Sequence, residues 1–534
     1  MRTARGVINL RATMVCKVIT SHLCKRSCVL VSLTAVLFAG GSLGLADEQP
    51  SYLQDQEKGF ALARKILRDA AESSLRIKSS QERDYVLPWI AVSQGRVGDY
   101  PGALRSVAKF TDFKERPLAL AEIALAQAKR GQQADATKTF RKGVKVAASL
   151  SDPYDQAYAL GRIAQLQARA QDKSGATKTF QDALQRIASI PANHYRASAL
   201  FRLGIFQMEL DPTEAIATLR EASQFLSKED DGRSYITAME LVGFQARAGD
   251  YSGSLKTAEI FADEDKPHGK SRLLEYIAVA QAGAGNVDEA LQTAASIRYT
   301  TLKDESLSSI VEAQIKKGNL QQALQVTGNI KENMSAKAFA LLYVATAQHQ
   351  SGESAEAKKT IDQALDAVSQ IPQDALENYP GAQMGIVKAL IEWGDYVKAE
   401  SAISSMKFGR WNAVAFTDFA KAYAKAGERT KAEGILLRAL EAPNTGFALS
   451  IIAEAYAHIG NVNAGLETAS MIPREFDRTF ALQRIADIQT RNGGMEEAVK
   501  WAKSLKSPYL KSYALLGVAL GILQKFGIDP AMTV

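Results

Sequence analysis

Few residues in this 534-residue chain have types and spacings that could do chemistry. Gly40-Gly41-Ser42-Leu43-Gly44 has the spacing of a nucleophile elbow, which lifts a serine on a sharp turn between a strand and a helix. No strand pattern precedes it and no helix pattern follows, so it is read as chance. Gly269-Lys270-Ser271 ends like a phosphate-binding loop, but Glu264 stands where the first glycine belongs and would repel the anion. Gly283-Ala284-Gly285 reads as a helix end. Beyond residue 46 the histidines are His194, His268, His349 and His458. No two lie within a helical turn of one another and no cysteine accompanies them, so metal ligation has no local signature. Acidic residues are dispersed. No cofactor or metal is expected, and catalysis would need a constellation assembled only by folding between repeats.

Charge and cysteine usage both trace to the first 46 residues. That segment carries six basic residues and no acidic one; the remaining chain holds 59 basic against 58 acidic residues, so the formal charge of +7 gives no reason to expect nucleic-acid binding. All three cysteines, Cys16, Cys24 and Cys28, lie there too. A basic stretch ends at Lys25-Arg26, an apolar run follows from Cys28 to Ala39, and Gly44 and Ala46 offer small residues before Asp47. This is the pattern of a secretory signal cleaved between Ala46 and Asp47, with Met14 as an alternative start. The rival reading, a membrane anchor, has a core shorter than the roughly 20 apolar residues of a span. The mature chain is expected to be exported to a bacterial periplasm without an integral membrane span; the absence of cysteine there avoids wrong disulfides.

The rest of the chain is periodic. Turn positions recur at Gly98, Gly131, Gln171, Asp211, Gly249, Gly285, Gly318, Gly352, Gly394, Gly427, Gly460 and Gly493. Eleven residues before the turn leucine is frequent, as at Leu87, Leu160 and Leu482; eight before it is a large apolar residue, as at Ile90 and Ile277; seven before it is a smaller one, as at Ala91, Ala278 and Ala453. Offsets of −11, −8, −7 and −4 fall on one stripe of a helix. A second helix follows with a small residue five past the turn, as at Ala103, Ala176 and Ala290. Neither helix of such a pair can bury its stripe alone, so neighbouring pairs must stack.

At these residues the sequence resembles the tetratricopeptide repeat family. Gly98-Asp99-Tyr100, Gly249-Asp250-Tyr251 and Gly394-Asp395-Tyr396 match its turn triplet, Phe140 and Phe180 its second-helix aromatic, and Ala183, Ala364 and Ala439 its later alanine. Leucine replaces the family's first-helix tryptophan, and glutamine replaces its tyrosine four before the turn in nine repeats. The resemblance implies an all-α, right-handed superhelical solenoid of about twelve repeats over residues 81–506. It is preceded by a signal peptide (1–46) and a capping helix (47–80), and followed by a capping helix and tail (507–534).

Two columns of polar residues run through the array. A basic residue stands two before the turn at Arg96, Lys129, Arg169, Arg247, Lys316, Lys425 and Arg491. By the resemblance this position looks into the concave groove, where it would form a positive ladder for acidic segments or anionic polymers. Helix ends predict the same residues, because a cation in the last turn interacts favourably with the helix dipole. The glutamine column admits an inter-repeat amide ladder, a ligand contact, or a half-buried helix former. Tyr513 to Leu523 is apolar or glycine throughout, and a helix apolar all round is normally buried. Its surplus face predicts either cover by the tail Phe526–Val534 or a self-association or docking surface, with Leu516 and Leu520 on two faces.

Taken together, the residues predict a non-enzymatic exported scaffold that binds a protein or peptide partner. The alternatives are an accessory whose basic groove holds an anionic glycan during export, and an enzyme with a site built between repeats. Apolar pockets or exposed aromatic rows would favour the peptide, a groove lined by Arg and Lys without apolar pockets the glycan, and convergent carboxylates in a closed pocket the enzyme.

Overall fold

The structure, a computed structural model, describes residues 49–228, 232–264, 269–372, 381–406, 409–441 and 445–528. The cleavage position Ala46–Asp47 lies outside the described residues, as does the tail beyond Ile528. A boundary falls after Lys58, and the compact body begins at Gly59. Every regular element among the described residues is an α-helix.

Between Ser80 and Ser504 the helices among the described residues form twelve pairs, from Ser80–Arg96 with Tyr100–Val107 to Glu475–Arg491 with Met495–Ser504. The Gly-Asp-Tyr triplets show why each pair turns where it does. Gly98 takes φ +81°, a left-handed conformation that glycine adopts without strain. Its amide bonds Gly95 O, and the Asp99 amide bonds Gln94 O, so two orphan carbonyls of the first helix are satisfied. The Asp99 side chain then caps the second helix by accepting from Gly102 N at 3.1 Å. Asp250 repeats the cap on Gly253 N and Asp395 on Lys398 N. In the third repeat Gln171 holds the left-handed position at φ +64°.

Successive first helices pack side by side around the whole array, whereas the backbones of successive second helices stay apart. The first helices therefore lie on the inner side of the curvature. Long side chains span the wider outer gap, as in the ion pairs Lys398–Asp362 and Arg438–Glu400.

In six of its nine repeats the glutamine column is an intra-repeat clamp, not an inter-repeat ladder. A donor on the second helix, twelve residues later, bonds the glutamine Oε1: Ser106 to Gln94, Thr179 to Gln167, Thr257 to Gln245, Thr293 to Gln281, Thr360 to Gln348 and Trp501 to Gln489, at 2.7–3.1 Å. Gln94 and Gln245 are buried. A buried amide needs such a partner, and this one fixes the distance between the two helices of a repeat.

For the helix Pro508–Lys525 the sequence leaves open cover by the tail or a docking surface at Leu516 and Leu520; in the structure other parts of the chain lie over it. Leu516 is fully buried and Leu520 nearly so. One side of the helix lies on Glu475–Arg491, with Gly517 and Gly521 at the contact: a Cβ on Gly517 would stand 2.1 Å from the carbonyl oxygen of Gln483. The other side is covered by the beginning of the chain. Phe60, Ala63, Leu67 and Ala70 share one apolar core with Leu515, Leu516, Ala519 and Leu523, and Ser80–Arg96 also touches the last helix. Ser73 Oγ donates to Pro508 O at 3.1 Å, Asp69 pairs with Lys503, and Phe60 meets Phe526 edge-on. The chain of first-helix contacts thus closes on itself.

Candidate functional site

The inner face follows from helix geometry. Relative to the turn, offsets −13, −9, −6 and −2 lie on one stripe, opposite the buried −11, −8, −7 and −4 stripe. Three bands of different chemistry run along it.

The −2 band carries the predicted basic column, and the structure neutralises much of it. Arg96 lies 3.6 Å from Glu122, Arg169 is held by Glu209 through two hydrogen bonds, Lys316 lies 2.7 Å from Glu312, and Arg491 lies 3.1 Å from Asp487. Lys129, Arg247 and Lys425 occupy the same position in their repeats and are exposed. Arg247 lies over the Phe244 ring at 5.9 Å.

The −9 and −6 band supplies the carboxylates, and sequence reasoning missed it. Glu122 is shared between Arg96 and Arg162, Arg162 bonds Gln165, and Gln165 donates to Glu209 at 3.0 Å. One network thereby joins four repeats. A second joins the last two full repeats: Arg484 reaches Glu454 at 3.1 Å and Asp487 at 3.8 Å, while His458 lies 3.4 Å from Glu454. Burial alone would raise the Glu454 carboxyl, but His458 and Arg484 hold it down at about 2. The missed signal was available as opposite charges at matching offsets in adjacent repeats.

The −13 band is apolar in eight repeats: Tyr85, Leu118, Tyr158, Ile236, Phe339, Val414, Phe447 and Phe480. Tyr85, Ile236, Phe447 and Phe480 are 47%, 58%, 55% and 45% exposed. Phe447 and Phe480 stand in neighbouring repeats, Tyr85 in the first and Ile236 in the fifth, while Leu118, Tyr158, Phe339 and Val414 are half-buried, so large apolar side chains recur open at one offset. Tyr85 also meets Phe476, and Phe476 meets Phe480, in edge-on contacts at 5.7 and 5.2 Å. The row is visible in the sequence once the turn is used as origin, but the buried stripe hides it because both are apolar.

Arg272 and Glu305 interrupt this row, and Glu275 joins them. Arg272 Nη1 lies 2.6 Å from Glu275 and 3.0 Å from Glu305. Burial pushes Glu275 up to about 7, with Glu305 adding to the rise and Arg272 opposing it. The two carboxyls converge on one guanidinium. Among the described residues no group of three or more His, Cys, Asp or Glu side chains converges to hold a metal ion. The pair has a pH consequence. The folded protein keeps the Glu275 proton up to about pH 7, whereas an unfolded glutamate releases it near 4.5, so the folded state binds more protons between those values. Stability contributed here should fall as pH rises from about 4.5 to about 7. Melting curves across that range should show the fall, and Glu275→Gln should flatten it; an unchanged slope in the variant would remove Glu275 as its source.

No family model matches the chain and no curated protein matches it. Among solved structures, it is similar to Ton1535 from Thermococcus onnurineus NA1, at 17% identity over 79% of this chain and 95% of that one, with a TM-score of 0.25. It is similar also to the maize pentatricopeptide repeat protein PPR10, at 12% identity over 85% and 97%, with a TM-score of 0.25. The human IFIT1 dimer matches at 15% identity over 78% and 94%, with a TM-score of 0.23. No helix among the described residues is long and apolar enough to cross a membrane. By its helix pairs, glycine turns and buried offsets, the chain is an all-α tetratricopeptide-like repeat solenoid.

Proposed function

We propose that the protein is an exported, non-enzymatic scaffold of the bacterial cell envelope whose inner face holds an extended segment of a partner protein. The exposed apolar row of Tyr85, Ile236, Phe447 and Phe480 carries this reading. Burying such side chains against a partner is worth about 25 cal/mol per Å² of apolar surface, and aromatic anchors of this kind dominate peptide recognition. The charged bands beside the row supply register and selectivity more than affinity, since many of their charges are already paired. The same pairing speaks against an anionic glycan as the main ligand, because Glu122, Glu209, Glu312 and Asp487 offset the basic column. Export rests on the leader's basic and apolar regions and its small-residue exit.

Selection from a random peptide library on the immobilised mature protein should enrich segments with spaced aromatic or aliphatic residues. Phe447→Ser with Phe480→Ser should weaken the selected peptides at least tenfold while the helical signal persists. Retention of an acidic polysaccharide at physiological salt, with no peptide enriched, would instead establish the glycan reading and overturn this one.

A further inference from the structure

The helix Gln49–Ser74 does more than cap the first repeat, and its register shows what it does. From Gly59 onward its buried positions are Phe60, Ala63, Ile66, Leu67, Ala70, Ser73 and Ser74, followed by Ile77. The second helix of the third repeat, Lys173–Ala188, buries Ala176, Thr179, Phe180, Ala183 and Ile187, followed by Ile190. Set with Ala63 on Ala176, these six positions coincide with Ala63, Ile66, Leu67, Ala70, Ser74 and Ile77; Phe60 and Ser73, which face the last helix, are buried in addition. The contacts to the next repeat also match. Arg68, one residue past Leu67, donates from Nε to Asp99 Oδ2 at 3.0 Å; Arg220, one residue past Leu219 in a second helix, donates from Nε to Asp250 Oδ2 at 3.0 Å. Both aspartates are turn residues of the repeat that follows.

The other end of the chain supplies the missing half. Pro508–Lys525 is a first helix in its contacts: it packs on the first helix before it and on the first helix of repeat 1. It also ends as a first helix ends. Gly527 has φ +73°, its amide bonds Gln524 O, and the Ile528 amide bonds Leu523 O at 3.0 Å. This is the pattern of Gly98 and Asp99, which in repeat 1 leads directly into a second helix. Here the second helix arrives from the opposite end of the sequence. It runs antiparallel to the last helix, with Ser73 at Pro508 and Phe60 at Phe526, and Gly59 lies so close that a Cβ there would stand 2.2 Å from the Phe526 ring.

We propose that the array is closed by a composite thirteenth repeat, with Pro508–Lys525 as its first helix and residues 59–74 as its second. The closure is a latch. Each of the twelve other repeats has a peptide chain through its turn, whereas this one is held only by noncovalent contacts, packing with the Ser73–Pro508 hydrogen bond and the Asp69–Lys503 ion pair, across a loop of more than 400 residues. Closing such a loop carries an entropic cost that no other repeat meets. The array therefore opens at this joint first, and opening turns a closed inner face into one that a partner chain can enter from the side.

Moving residues 59–78 to the other end of the chain tests the assignment. In the permuted protein the chain starts at Ser79, runs to Gly527, and continues directly with Gly59 to Lys78, so that Gly527 serves as the turn. The permuted protein is expected to melt at or above the temperature of the parent, and well above a chain of residues 79–527 alone. Hydrogen exchange in residues 59–74 should slow at least tenfold once the helix is tethered, because departure of the latch no longer separates it from its seat. A permuted protein no more stable than residues 79–527 would overturn the composite repeat. Unchanged exchange in residues 59–74 after tethering would overturn the latch even if the permuted chain folds.

Discussion

Gly517→Leu should unseat the last helix and destabilise the protein by about 3 kcal/mol or more, at the upper end of what overpacking a core costs. The reason is backbone, not side chain. A Cβ at residue 517 would lie 2.1 Å from Gln483 O and 2.9 Å from Gln483 Cα, atoms of the neighbouring helix that have no rotamer to change. Gly521, one turn on, stands in the same relation to Asp487 O at 2.7 Å. The two glycines let Pro508–Lys525 and Glu475–Arg491 approach closely, and leucine would force them apart. Because the opposite side of the last helix meets residues 59–97, the loss should spread to the beginning of the chain: exchange should quicken in residues 59–74 as well as in 508–525. Gly434→Ala gives the matched control. Gly434 is exposed within Arg429–Glu441 and has nothing within 4 Å of its missing Cβ. Alanine there should stabilise by about 0.5–1 kcal/mol through helix propensity. Denaturant melts that moved Gly517→Leu and Gly434→Ala in the same direction would refute the close approach.

The fold was legible in the sequence wherever a residue's role is set by its own repeat. Gly98 at a left-handed turn, Asp99 as the cap that follows it, and Ala278 on a buried seam all follow from offsets within one helix pair. The clamp between Gln281 and Thr293 was half legible: the column of glutamines is plain, but its partner is twelve residues away across a turn, and only the packing of two helices brings the atoms together. What connects repeats was less visible. The basic column reads as free charge until Glu122 and Glu209 are placed beside it, because each acid lies about 40 residues from an arginine it neutralises, Arg162 and Arg169 respectively. Closure of the array was hidden altogether. The surplus apolar surface of Tyr513 to Leu523 announced a missing partner, but Ser73 and Pro508 are 435 residues apart, and no local pattern says that an N-terminal helix will supply it.

The same distinction sets the second large effect, at Glu122. This carboxylate is 9% exposed and faces two arginines, Arg96 from the repeat before and Arg162 from the repeat after. A buried pair adds little over an apolar substitute of the same shape, since desolvation consumes most of the attraction, but removing one partner strands the other. Glu122→Ala should therefore cost about 3–5 kcal/mol, most of it from leaving the Arg162 guanidinium buried without its carboxylate. Burial already lowers the affinity of Arg162 for its proton, against the pull of Glu122, so the charge is poorly solvated where it stands. Two further variants separate this from a simple cavity. Glu122→Leu with Arg162→Leu should recover the share of the loss that the buried Arg162 causes, leaving only the smaller share from Arg96, which is 15% exposed and also faces Glu122. Glu264→Ala, which breaks the exposed pair with Arg298, should change stability by no more than the 0–1 kcal/mol usual for surface pairs. If Glu122→Ala proves as mild as Glu264→Ala, the network is a surface decoration. If it is severe and the double leucine variant recovers the share due to Arg162, the paired charges of the inner face are a structural seam joining neighbouring repeats.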